Sequence, residues 1–118
     1  MATVSSHILD SIVGTHAAGI KVEFDRLSGS AGREQLFEVT ADEEGRIAVP
    51  VDIDPASTDA HYELVFHSAD YFAAQGIAPA GRQIMNVVVV RMNMPDPGAR
   101  YHIPLVLSPH SYTIWWSG

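Results

Sequence analysis

Tyr101-His102-Ile103-Pro104-Leu105-Val106-Leu107-Ser108-Pro109-His110-Ser111-Tyr112-Thr113-Ile114-Trp115-Trp116-Ser117-Gly118 is the stretch on which the reading of this chain turns. Side chains alternate along a strand. Tyr101, Ile103, Leu105 and Leu107 therefore share one face, apolar enough to be core. His102, Pro104, Val106 and Ser108 share the other, a mixture that suits a pocket or an interface better than bulk solvent. Trp115 and Trp116 follow, with no later residue to cover them. A histidine set in an apolar strand and an uncovered aromatic tail suggest a pocket completed by another subunit.

The same alternation recurs upstream. Val22 and Phe24 stand between Lys21, Glu23 and Asp25, the pattern of a half-buried strand. Leu36 to Thr40 is a second strand-like run. Ala41-Asp42-Glu43-Glu44-Gly45 reads as an acidic turn closed by glycine, with 46–51 as the returning strand of a hairpin. Tyr62, Leu64 and Phe66 mark another strand. Asn86 to Met92 is rich in β-branched residues and reads as a strand buried on both sides. Residues 101–107 form the last long strand, and His7-Ile8-Leu9-Asp10 looks like the first. One helix is expected over 68–76, with Ser68 as N-cap, Asp70 in the first turn and Gly76 as the stop. Seven or eight short strands with turns between them and one helix predict a mainly β fold, an antiparallel β-sandwich. Pro79-Ala80-Gly81 and Met94 to Gly98 read as loops, and residues 1–118 as a single domain.

Composition narrows the function classes. With 7 basic and 14 acidic residues, the formal charge is −7, which argues against nucleic acid or an anionic membrane as partner. Cysteine is absent, so disulfides, thiolate metal sites and thiol nucleophiles are ruled out. The start, Met-Ala-Thr-Val-Ser-Ser-His, lacks the basic and apolar regions of a signal peptide, and no apolar run is long enough to span a bilayer. The expectation is a cytoplasmic protein.

The polar residues with chemical potential are few. His102 interrupts an apolar strand, His7 begins another, and Arg46 opens a strand after a glycine turn. His7, His16, His61, His67, His102 and His110 show neither the two-residue spacing of paired ligands on a strand nor the three- or four-residue spacing on a helix, so no metal site is expected. There is no Gly-rich phosphate loop and no Gly-x-Ser-x-Gly elbow. Ser108 and Ser111 near His102 suggest a hydrolytic pair, but no third orienting group accompanies them.

Three separated segments together resemble one family. His7-Ile8-Leu9-Asp10 with Gly14 and Ala17-Ala18-Gly19 is similar to the N-terminal signature of the transthyretin-like 5-hydroxyisourate hydrolases. Gly45-Arg46 resembles that family's arginine turn. Tyr101 to Leu105, Leu107 to Pro109 and Tyr112-Thr113 resemble its C-terminal signature, and Phe66, Ala69 to Phe72 and Gly76 its short helix region. The resemblance implies a transthyretin-like sandwich, a homotetramer with sites in a channel between subunits, and hydrolysis of 5-hydroxyisourate, a step in urate breakdown, without a cofactor. It implies His7, Arg46 and His102 as the catalytic residues, with Ser108, Tyr112, Trp115 and Trp116 lining the substrate site. A neutral histidine can take a proton from water near neutral pH. An arginine can hold a ring carbonyl and stabilise the oxyanion formed when water adds.

The chain departs from the family in places. Where those hydrolases end in Tyr-Arg-Gly-Ser, this sequence has Trp115-Trp116-Ser117-Gly118, so the tail guanidinium is replaced by an indole with one donor. His16 stands where the family often has proline, and His110 where it has an aromatic residue. Residues 82–86 lack the usual aromatic-proline pattern. Arg33, Arg82 or Arg100 is a candidate substitute for the tail arginine. A tail with two indoles predicts a drier, more aromatic site. That leaves three readings: hydroxyisourate hydrolase; an enzyme on the same scaffold that opens, cyclises or isomerises a more aromatic metabolite; or a carrier of a hydrophobic small molecule. The three polar candidates favour an enzyme, since a carrier does not need them.

Overall fold

The structure is a computed structural model that describes residues 1–29, 32–57, 60–77 and 81–118. Two sheets face each other. The first is built around β1 (Ala2–Asp10), the longest strand. Along one flank β1 pairs antiparallel with β5 (Arg46–Val51) and then with the two-residue β2 (Thr15–His16). Along the other it pairs parallel with β8 (Arg100–His102) and then β9 (Leu105–Leu107), with β10 (Tyr112–Ile114) outside β9. The second sheet is antiparallel throughout, in the order β4 (Arg33–Thr40), β3 (Lys21–Leu27), β6 (His61–Phe66), β7 (Val88–Met92).

Among the described residues there are ten strand segments and one α-helix, α1 (Ser68–Ala74). Counting β8 and β9 as one interrupted strand, and setting aside β2, gives eight, within the expected seven or eight. The interruption falls at Ile103-Pro104, because Pro104 has no N–H to give to the ladder. The sandwich is not wholly antiparallel. β1 meets β8 and β9 in parallel because the intervening chain passes through the opposite sheet before returning, and no hairpin fixes their direction.

The core lies between the sheets. Val4 and Ile8 of β1 and the predicted set Tyr101, Ile103, Leu105 and Leu107 bury their side chains against Val22 and Phe24 of β3 and Tyr62, Leu64 and Phe66 of β6. Phe24 stacks between Phe37 and Tyr62, at centroid distances of 5.3 and 5.5 Å. The even-numbered residues of β1 fill this core, which turns Thr3, Ser5, His7 and Leu9 to the outer face.

Three local expectations are corrected. β4 and β5 do not pair as a hairpin across the 41–45 turn: β4 pairs with β3 in the second sheet and β5 with β1 in the first. Ser68 does not cap α1: the N-cap is His67, without a side-chain bond, and the Ser68 hydroxyl points to the Asn86 carbonyl at 3.5 Å. Gly76 does stop the helix, at φ +75°, where a left-handed conformation suits glycine. The 86–92 run is not buried on both sides. β7 is an edge strand with Val89 44% exposed, because its outer face has no covering layer. Met94 to Gly98 is the expected loop, closed by the Tyr101 hydroxyl, which accepts from Asp96 N–H and donates to Asp96 C=O, both at 2.9 Å. Of the other predicted loop, Pro79 and Ala80 lie outside the described residues.

Helix α1 is tied to the end of β1 by a buried contact. The Tyr71 hydroxyl donates to Asp10 Oδ2 at 2.7 Å, while Asp10 Oδ1 accepts from the main-chain N–H of Ile12 at 2.8 Å. Asp10 is 1% exposed, so its carboxylate is the fixed point from which the chain leaves β1 toward β2. None of the described helices is long and apolar enough to cross a membrane.

Candidate active site

The outer face of the first sheet collects the polar residues. On β1, His7 stands directly opposite Arg46 of β5, and Ser5 directly beside His102 of β8. One central strand thus brings together three residues that lie far apart in sequence. Arg46 and His102 wall a cleft of about 220 Å³ together with Ser5, Asp42, Ala48 and Arg100. His7 is not among its walls and adjoins it through its pairing with Arg46.

Arg46 owes its place to the turn before it. Asp42 Oδ1 accepts from the main-chain N–H groups of Glu44 and Arg46, each at 2.9 Å, and Gly45 N–H returns to the Asp42 carbonyl at 3.0 Å. The Arg46 N–H bond holds the Asp42 carboxyl below its usual range. Gly45 adopts φ +70°, and a side chain there would fall on the Ile8 carbonyl oxygen and crowd His16. Only glycine lets this turn lie flat against β1, with Ile8 N–H donating to the Gly45 carbonyl at 2.7 Å.

The two site histidines differ in their partners. His102 Nδ1 is 2.8 Å from the Ser5 hydroxyl. Among the described residues nothing bonds its Nε2, which is left for substrate or water. His7 Nε2 is instead 3.0 Å from His16 Nδ1, with ring centroids 5.1 Å apart. Burial lowers the proton affinity of both site rings. On His102 the nearby Arg100 and Arg46 guanidiniums and His7 push the same way; on His7, Arg46 and His16 do. Each ring is therefore biased toward the neutral form that a proton acceptor requires.

The other expected binding residues lie elsewhere. Ser108 is closed into its own turn, its hydroxyl bonding the Ser111 carbonyl at 3.0 Å and the Ser111 hydroxyl at 2.6 Å. It has no contact with His102, so the suspected serine–histidine pair does not form. Tyr112 faces out at the end of β10, opposite Leu107. Trp115 and Trp116 line a different cleft, of about 440 Å³, between the free edges of the two sheets, with Val90, Met92, Ile103 and Ile114. The tail does run beside His102, with Ser117 N–H donating to the His102 carbonyl at 2.9 Å, but the indoles serve the apolar side. The expectation of a more aromatic polar site therefore finds no basis in how this chain folds on itself.

Of the candidate replacements for a tail arginine, Arg100 is in the polar cleft. Arg33 belongs to the other sheet, bound to Asp25 and Glu63 at 2.7 Å each. Sequence reading missed Ser5, whose part depends on the parallel pairing of β1 with β8. It also saw His16 only as a departure and not as a neighbour of His7. The one signal for Ser5 was its position two residues before His7, on the same strand face.

Comparison with known proteins places the fold and the family. A profile of the HIUase/Transthyretin family matches residues 4–116. The chain is 33% identical over 112 residues to 5-hydroxyisourate hydrolase 2 of Rhizobium meliloti, covering 95% of this chain and 92% of the relative. The structure of Klebsiella pneumoniae 5-hydroxyisourate hydrolase superposes with a TM-score of 0.78 at 23% identity, covering all of both chains. (S)-allantoin synthase superposes with a TM-score of 0.80 at 22% identity, covering 99% of this chain but 44% of the synthase. A sandwich with this outer-face cleft, matched by the family profile from end to end, belongs to the HIUase/Transthyretin family.

Proposed function

We propose that this protein hydrolyses 5-hydroxyisourate, opening a cyclic amide by water attack assisted by histidine and arginine. The observation that carries this reading is the convergence of His7, Arg46 and His102 around Ser5 on one sheet face. Full-length relatives bearing the name 5-hydroxyisourate hydrolase support it.

In this reading His102, Ser5, Arg46 and Arg100 divide the work. His102 Nε2, the unengaged ring nitrogen of the site, takes a proton from water as the oxygen adds to the ring carbonyl carbon. Ser5 holds the ring from behind through Nδ1. Arg46 donates to the carbonyl oxygen, whose charge grows as the tetrahedral adduct forms, and Arg100 holds a carbonyl of the bound substrate. The C–N bond then breaks, and the proton held by His102 passes to the leaving nitrogen. Every proton is accounted for within water and substrate, so the reaction as written needs no cofactor. Arg100 supplies the second guanidinium that the Trp115-Trp116 tail lacks.

Assembly completes the reading. A cleft of about 220 Å³ on one sheet face is open to the side, and a second copy laid over it would close it against water. The homotetramer implied by the family resemblance does this. A chain without cysteine suits a reducing compartment, and we place the protein in the cytoplasm.

The test is the decay of hydroxyisourate generated in place by urate oxidase, followed with wild-type protein and with His102→Ala. Acceleration by the wild type that the variant lacks is expected. A folded wild type that leaves the spontaneous rate unchanged overturns the assignment.

A further inference from the structure

We propose that His16 is a positioning residue for His7, holding its ring in one tautomer and one orientation beside Arg46. The proposal rests on the reading of His7 as part of the hydrolytic site. His16 is an exposed residue of β2, a strand only two residues long, and no core packing calls for an imidazole there. Its place is nevertheless well determined. The ladder pairs it with Leu9, two residues along β1 from His7 on the same face, and Gly45 packs against its Cβ position. The outcome is the 3.0 Å contact between His7 Nε2 and His16 Nδ1.

Two neutral imidazoles make that bond only if one nitrogen carries the proton and the other does not. The contact therefore ties the tautomer of His7 to that of His16 and fixes the plane of the ring. His7 Nε2 is engaged in this way, whereas among the described residues nothing bonds His102 Nε2. The two histidines of the site are thus unequal: His102 meets the reacting water, and His7 is a ring braced by its neighbour.

The charged and titratable groups around His7 come from each neighbouring element. Arg46 stands on β5, Asp42 and Glu44 in the turn before it, His16 on β2 and His102 on β8. Arg46 and His16 oppose a second positive charge on His7, and the Glu44 main chain works against them. Removing His16 therefore takes away both a hydrogen bond and a repulsive neighbour. The ring is freed to exchange tautomers and binds a proton more readily.

Imidazole nitrogen NMR across a pH titration tests this without any substrate, in wild type, His16→Ala and His16→Gln. In the wild type His7 should hold one tautomer. His16→Ala should mix the tautomers and move the His7 titration upward. His16→Gln, whose amide can donate to or accept from the same nitrogen, should restore a single tautomer. In turnover, His16→Ala should lower kcat/KM about tenfold, the worth of roughly one hydrogen bond, and raise the lower pH limb, with recovery in His16→Gln. An unchanged His7 tautomer and titration in His16→Ala overturns the pairing, whatever the activity. Changed NMR with an unaltered pH–rate profile in an active enzyme overturns the positioning role. If the wild type shows the pairing but does not turn over hydroxyisourate, the pairing stands and the function reading falls.

Discussion

The Ser5 hydroxyl lies 2.8 Å from Nδ1 of His102, on the strand that runs parallel to its own. Ser5 is 1% exposed, so this bond is sheltered from competing water. It fixes which edge of the imidazole faces the cleft. Ser5→Ala should leave the fold intact, at a cost of about 1 kcal/mol, and lower kcat/KM roughly tenfold by freeing the ring. Thermal melting and steady-state kinetics on one preparation separate the two effects. Turnover unchanged in the variant would remove Ser5 from the site.

The two arginines of the cleft should fail differently. Arg46 stands opposite His7 and is aimed by the Asp42 turn, whereas Arg100 stands two residues from His102 on β8. If Arg46 serves the developing oxyanion, Arg46→Lys should lower kcat by about 10² or more, because a point charge replaces a planar fork. Arg100→Leu, if that side chain only holds the ground-state carbonyl, should raise KM about tenfold at similar kcat. Equal losses in both parameters for both variants would argue against this division.

The lowered proton affinities of His7 and His102 set a direction for pH dependence. In the unfolded chain both titrate near 6.5; in the fold they titrate below it. Between those values the unfolded state binds more protons, so stability rises with pH through that window. It is fully present above 6.5 and is lost as pH falls through the folded values. Activity should follow the same limb, since the proton acceptor must be neutral. Urea melts at a series of pH values, set beside the kcat/KM profile, should show both midpoints below 6.5. A limb centred above 6.5 would contradict the placement of two guanidiniums beside His102.

Gly45 links turn geometry to catalysis. Its positive φ and its contact with the Ile8 carbonyl leave no room for a side chain. Gly45→Ala should cost more than the roughly 1 kcal/mol of an ordinary glycine change, because the turn must lift off β1. Arg46 moves with it, so turnover should fall more than stability does. Denaturant unfolding and kinetics of the variant check both parts. A variant with wild-type stability would show that the turn has room to shift.

Much of this was legible in the sequence. The alternation of Tyr101, Ile103, Leu105 and Leu107 names the core face correctly because a period of two survives wherever one sheet face is buried. The valine run of β7 misled because apolar density alone does not distinguish a central strand from an edge strand awaiting a partner. Resemblance alone points to His7, Arg46 and His102, since nothing local marks residues that meet only through register. Ser5, His16 and Arg100 acquire their roles from pairings with β1, β2 and β8. Those pairings are long-range facts that periodicity does not encode.

The aromatic tail gives the sharpest discrimination. Trp115 and Trp116 are 45% and 67% exposed, and they line an apolar cleft between the free edges of β7 and β10. Val90 and Met92 of β7 line the cleft on one side and Ile114 of β10 on the other. Two strand edges, unpaired among the described residues, flank this apolar cleft, and we read it as suited to another protein chain more than to a polar ring. Trp115→Ser with Trp116→Ser should therefore weaken self-association at least about tenfold, on the scale of one lost aromatic anchor. It should leave the titrations of His7 and His102 unchanged in the dissociated chain. Sedimentation over a concentration series reads the first effect, and NMR the second. If assembly is untouched and KM for hydroxyisourate rises instead, the indoles belong to the substrate site after all, reaching it from a neighbouring subunit.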